Sequence, residues 1–67
     1  MESVYKVVEI IGTSEKSWEA AARVAVSTAS KTLRDLRIAE VKEMDIKIEN
    51  GGLIFRVKMN LSFKYQD

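Results

Sequence analysis

From residue 53 to residue 65 the chain alternates. Leu53, Phe55, Val57, Met59, Leu61, Phe63 and Tyr65 are apolar or aromatic, and Ile54, Arg56, Lys58, Asn60, Ser62 and Lys64 stand between them. A period of two held over that length predicts a half-buried strand of about 13 residues. Asn50-Gly51-Gly52 precedes it, and residues that tolerate positive φ predict a hairpin turn there. The partner segment, residues 38–49, changes phase partway. Ala39 and Val41 are apolar at odd positions, whereas Met44, Ile46 and Ile48 are apolar at even ones. A strand keeps both sets on one face only with an extra residue, which predicts a β-bulge or bend near Lys42 and Glu43.

Residues 4–11 are rich in β-branched side chains and predict a first strand, ended by Gly12. Thr13 and Ser14 then supply a turn and a helix N-cap. A helix is predicted over about residues 15–33. Trp18, Ala21, Ala22, Ala25, Ala29 and Leu33 recur at helical spacing and form one stripe, mostly alanine. Such a narrow face lets a helix lie close on a sheet. Glu15 and Glu19 near its start, and Lys31, Arg34 and Arg37 toward its end, suit the helix dipole.

The resulting expectation is an α+β fold of order β-α-β-β, with a three-stranded antiparallel sheet on one helix and a single domain over residues 1–67. The long strand spans roughly 43 Å at ~3.3 Å per residue. The helix covers roughly 29 Å at ~1.5 Å per residue. The hairpin therefore outruns its helix, and apolar surface is left for a partner. A chain of 67 residues with neither Cys nor His has no disulfide and no Cys/His zinc site to reinforce a small core. Self-association is the favoured remedy, with a free monomer as the alternative. Eleven basic against ten acidic residues leave a net charge of +1, which makes no electrostatic case for nucleic acid or an anionic membrane. No apolar run approaches the ~20 residues of a membrane span, and no signal peptide is recognisable, so a cytoplasmic location is expected.

Catalytic chemistry is thin without His or Cys, and no phosphate-loop or nucleophile-elbow motif is present. A shallow surface on so short a chain does not easily desolvate a carboxylate pair, so an enzyme is not expected. Gly12-Thr13-Ser14 reads as a turn and cap before it reads as a phosphate loop. Glu43 and Asp45, two apart on one strand, share a face and carry hard oxygen donors. Ca²⁺ takes six to eight such donors, so symmetry-related copies would have to complete a site. A solvated strand face is the plainer reading of the pair. Trp18, on the apolar stripe, reads as core packing. Arg56, Lys58 and Lys64 read as a charged outer face.

Over almost its whole length the chain also resembles the dodecin family. The residues that carry the likeness are Val4-Tyr5-Lys6-Val7-Val8-Glu9-Ile10-Ile11, then Gly12-Thr13-Ser14, the segment Ser17-Trp18-Glu19-Ala20-Ala21, then Ala39-Glu40-Val41 and Leu61-Ser62-Phe63-Lys64. The resemblance implies a hollow homododecamer of cubic-type symmetry, not an enzyme. Such shells store flavins, riboflavin or FMN, and some bacterial members hold coenzyme A. The family's pocket positions fall at Ile38, Glu40 and Arg56. Flavin binders carry a stacking Trp where this chain has Ile38, and a Gln contacting the ring edge where it has Arg56. Loss of a stacking platform worth ~1–3 kcal/mol weakens binding by roughly one to two decades. Arg56 instead offers a guanidinium to a phosphate or a ring. The likeness is greatest to the calcium dodecins, which share Ser-Trp-Glu at the helix start and an aliphatic residue in place of the stacking Trp. It implies a shell with weakened flavin binding or, alternatively, one that binds calcium or another hard cation. Glu43 falls at an acidic family position near ligand and metal; Asp45 joins it as a candidate ligand by spacing.

Overall fold

The computed structural model describes residues 2–65. Strand β1 spans Tyr5–Ser14, helix α1 Trp18–Ala29, strand β2 Leu36–Glu49 and strand β3 Gly52–Lys64. The strands form one antiparallel sheet of order β1-β3-β2. This is the expected α+β arrangement, with the alternating strand β3 at its centre.

The alternation decides what is buried. Val57, Met59 and Leu61 of β3 face α1 and are buried against Ala21 and Ala25. Val8 and Ile10 of β1 and Leu36 of β2 pack around this core. Alanine lets the helix approach closely. A Cβ added at Gly12 would collide with the Ala21 carbonyl oxygen and come within 2.8 Å of the Ala25 Cβ. Gly12 is therefore not the end of β1, as its residue type suggested. It is a buried position in mid-strand, paired with Val57, where the helix backbone rests on the sheet.

Helix α1 is shorter than its apolar stripe implied. Its N-cap is Ser17, whose Oγ accepts from the Ala20 amide at 3.0 Å. Ser14 remains in β1, and its Oγ accepts from the Lys16 amide instead. At the other end the backbone tightens to bonds between residues three apart, Lys31 to Thr28 and Thr32 to Ala29. This is a common way to close the last turn. Lys31, Arg34 and Arg37 thus lie beyond the helix, and no basic residue occupies its last turn. Asp35, at φ 58°, turns the chain into β2.

The hairpin turn is where the glycines placed it. Asn50 and Gly51 have φ of 50° and 78°, and Glu49 pairs with Gly52 across them. The phase change in β2 is resolved as expected: the register shifts between Val41 and Glu43, leaving Lys42 unpaired. A second shift, between Leu36 and Ile38, was not foreseen. With the bulge in place, Ala39, Val41, Met44, Ile46 and Ile48 all share the helix-side face of the sheet. The helix does not reach most of them. The chain measures 51 × 21 × 14 Å, with a radius of gyration of 13.7 Å. A compact chain of this length would have about 11 Å.

Candidate functional site

The opposite, outer face of the sheet carries the chemistry. Residues directly paired across antiparallel strands share a face, so the register assembles the site. Lys58 lies between Ile11 of β1 and Glu43 of β2, and Arg56 lies between Thr13 and Asp45. Ile11, Glu43, Asp45, Arg56 and Lys58 line a shallow pocket of about 110 Å³.

Asp45 and Arg56 dominate it. Arg56 Nε donates to Asp45 Oδ1 at 2.7 Å, and Nη2 donates to Oδ2 at 2.9 Å. This is a bidentate fork, the strong geometry for a guanidinium and a carboxylate. The two side chains are 42% and 52% exposed, so water screens the pair. The hydrogen bonds from Arg56, helped by its charge, hold the Asp45 carboxyl below its ordinary pKa, and the same bonds raise that of Arg56. Lys58 points its ammonium toward Glu9, with Nζ 3.9 Å from Oε2. Glu43 takes part in none of the ion pairs found among the described residues.

Trp18 fixes the backbone beneath Asp45. Its Nε1 donates to the Asp45 carbonyl oxygen at 3.1 Å, and its ring meets that of Phe55 edge-on at 5.2 Å between centroids. At 36% exposure it is a rim residue that ties α1 to β2, and the expected burial in the core is corrected accordingly. Its stripe neighbours Ala21 and Ala25 take the core instead.

The other expected positions lie elsewhere on the outer face. Ile38 pairs with Ser62 and is 65% exposed, and Glu40 pairs with Asn60. Ser62 lies six positions along β3 from Arg56, which is about 20 Å of strand. One subunit therefore does not bring Ile38 and Arg56 into a common pocket. Glu43 and Asp45 it does bring together, but no group of three or more His, Cys, Asp or Glu suited to a metal occurs among the described residues. Two carboxylates, one of them engaged by Arg56, fall short of a Ca²⁺ shell within a single chain. Residue type alone left Ile11 and Lys58 out of the site. The signal that places them is register, counted from the Glu49–Gly52 turn and corrected for the bulge.

A larger hollow of about 340 Å³ opens between β1 and α1, lined by Ile10, Ile11, Gly12, Thr13, Val24, Ala25, Thr28 and Ala29. It is mostly apolar and carries no ionisable group. No described helix is long and apolar enough to cross a membrane.

Comparison with known proteins is consistent across sequence and structure. A family profile described as Dodecin matches residues 4–66. Calcium dodecin of Mycobacterium tuberculosis is 49% identical over 63 residues, covering 92% of this chain and 89% of that protein. A protein named dodecin from Thermus thermophilus is 41% identical, covering 100% of this chain and 99% of its own. The crystal structure of the M. tuberculosis protein is described as that of a calcium-chelating antigen with a novel calcium-binding site. It superposes with a TM-score of 0.88 at 46% identity, covering 96% of this chain and 93% of its own. Dodecin from Streptomyces coelicolor gives a TM-score of 0.91 at 36% identity, over 97% and 94% of the two chains.

Proposed function

The chain belongs to the dodecin family, and from that premise we propose that it is a non-catalytic protein that builds a hollow homododecamer and sequesters a small ligand between its subunits. The observation that carries this reading is the separation of Ile38 from Arg56. These family pocket positions lie too far apart on one subunit to grip one small molecule, and a pocket using both needs a neighbouring copy. The exposed surface points the same way. The chain leaves 5308 Å² accessible, against about 4,300 Å² expected for a compact monomer of its mass. The excess, about 1,000 Å², is of the size one partner contributes to a stable interface.

The ligand of this reading is a flavin, riboflavin or FMN. Ile38 supplies contact area without a π face, so binding is expected in a weakened form. Titration with riboflavin and FMN, followed by flavin fluorescence, tests it. Quenching at micromolar to high micromolar protein is expected, and its absence there removes flavin storage.

A second reading, a hard cation such as Ca²⁺, draws on the calcium-binding relative and on Glu43 and Asp45 meeting in one pocket. Neighbouring copies would have to supply the remaining oxygens. Calorimetry with Ca²⁺ should give a binding heat, and excess Ca²⁺ should raise the melting temperature, because a ligand of the folded state stabilises it by mass action. A flat calorimetric trace with an unmoved melting temperature sinks this reading.

A further inference from the structure

The hairpin arm runs past its own helix. Trp18, the first residue of α1, meets Asp45 and Phe55, and the two strands continue beyond that contact to the turn at Asn50-Gly51. Near the turn, Ile48 and Leu53 are paired across the strands on the helix side, and both are exposed. They form a wedge of two aliphatic side chains. The hollow of about 340 Å³ between β1 and α1 matches it in character. Gly12, Ala25 and Ala29 make its floor and are too small to fill it, and exposed Ile11, Val24 and Thr28 stand at its rim. No residue lining it is ionisable. Four other hollows each carry charge, among them Arg56, Arg23, Glu49 and Lys64 in turn. An aliphatic wedge seated in one of those would strip water from a charged group, which is costly.

We propose that the hollow between β1 and α1 is the seat of the hairpin arm of a second copy of this chain, with Ile48 and Leu53 entering it. The inference rests on the assembly proposed above and names its two contacting surfaces. Three observations choose the occupant. Wedge and hollow both lack ionisable groups, so their contact buries no unpaired charge. The chain's 5308 Å² of accessible surface exceeds that of a compact monomer by about 1,000 Å². That surplus covers the ~800 Å² each partner gives to a standard interface. Finally, the arm does not reach its own hollow. Pairing is continuous from Glu43 to the two-residue turn and holds the arm straight, and β1, which walls the hollow, is at the opposite edge of the sheet from β2. The wedge of one chain therefore needs the hollow of another.

The chain has no cysteine, so introduced thiols report on this contact alone. Ile48→Cys and Val24→Cys are made as separate variants, co-expressed, purified as the particle and treated with a short bismaleimide. The two thiols lie on different chains, so a link between positions 48 and 24, identified by denaturing gel and mass spectrometry, reports a contact between copies. That link is expected. Thr28→Cys, one turn along the rim, is a second reporter in place of Val24→Cys. The link should be lost when Ile54→Cys, on the outer face beside the same turn, replaces Ile48→Cys. Unchanged particle mass verifies that the variants assemble. Linking of Ile48→Cys to itself, or equal linking from Ile54→Cys, overturns the inference. So does an intact particle with no link from position 48 to either rim position, which leaves the assembly standing. A wild-type chain that light scattering finds as a lone subunit removes the assembly and this inference together.

Discussion

Each oxygen of Asp45 accepts a hydrogen from Arg56, and this fixes how the carboxylate responds to acid. Bonding favours its charged form, so Asp45 releases its proton at a lower pH than an unpaired carboxylate. A carboxyl group with a lowered folded pKa contributes stability that is complete above its unfolded pKa. That stability is lost as pH falls through the folded value. NMR titration of the Asp45 side-chain carboxyl should place its midpoint below the ordinary aspartate value. Arg56→Gln should move its midpoint upward, and a midpoint unchanged by the substitution would remove the pair as the cause. This contact was within reach of the sequence. Asp45 stands opposite Arg56 four rungs back from the Glu49–Gly52 pair, and the Asn-Gly turn that sets the count is plain to read. What residue types did not disclose is that a candidate metal ligand and a candidate anion ligand are each other's partner. That follows only once the hairpin is zipped.

Helix α1 and strand β1 meet at Gly12, and the element scale turns on that contact. Backbone rests on backbone there, because Gly12 has no side chain and the helix presents Ala21 and Ala25. Gly12→Ala would force a methyl group onto the Ala21 carbonyl. Overpacking of this kind costs about 1–3 kcal/mol, and each kcal/mol lowers the melting temperature of a small domain by roughly 4–8 °C. A loss of several degrees is expected by calorimetry or circular dichroism. An unchanged melting temperature would mean that the helix sits further from the sheet than described. The element boundaries show where local pattern stops informing. The alternation of β3, the bulge at Lys42 and the turn at Asn50-Gly51 were legible because each is a local count. The helix ends were not. Ser14 and Ser17 are equally good caps by type, and pairing of Ser14 with Phe55 in the sheet leaves the cap to Ser17. The apolar stripe likewise continues to Leu33, while the reversal at Asp35 brings Leu36 back into pairing with Phe63. That tertiary demand ends the helix at Ala29.

At the scale of the whole molecule the hairpin arm is the unsatisfied element. Met44, Ile46, Ile48 and Leu53 lie on the helix side of the sheet, and Ile48 remains 77% exposed. In the homododecamer proposed above, copies would supply the cover that this pattern lacks in its own chain, and fully burying one such side chain is worth about 1.5–3 kcal/mol. In a closed particle the gain is repeated in every subunit, so one substitution acts many times over. Ile48→Lys places an ammonium where apolar contact is expected, and desolvating an unpaired charge is costly. The core under α1, built from Ala21, Ala25, Val57, Met59 and Leu61, does not include Ile48, so the far-ultraviolet circular dichroism of the subunit should survive. Light scattering should then report a particle of lower mass than the wild type at the same concentration. Ile54→Lys is the matched control, because Ile54 is next to the same turn but on the outer face, opposite Lys47. Loss of mass in Ile48→Lys alone ties assembly to the helix-side face. Equal loss in both would assign it to the hairpin tip at large, and intact particles in both would show that the arm does not hold the proposed shell together.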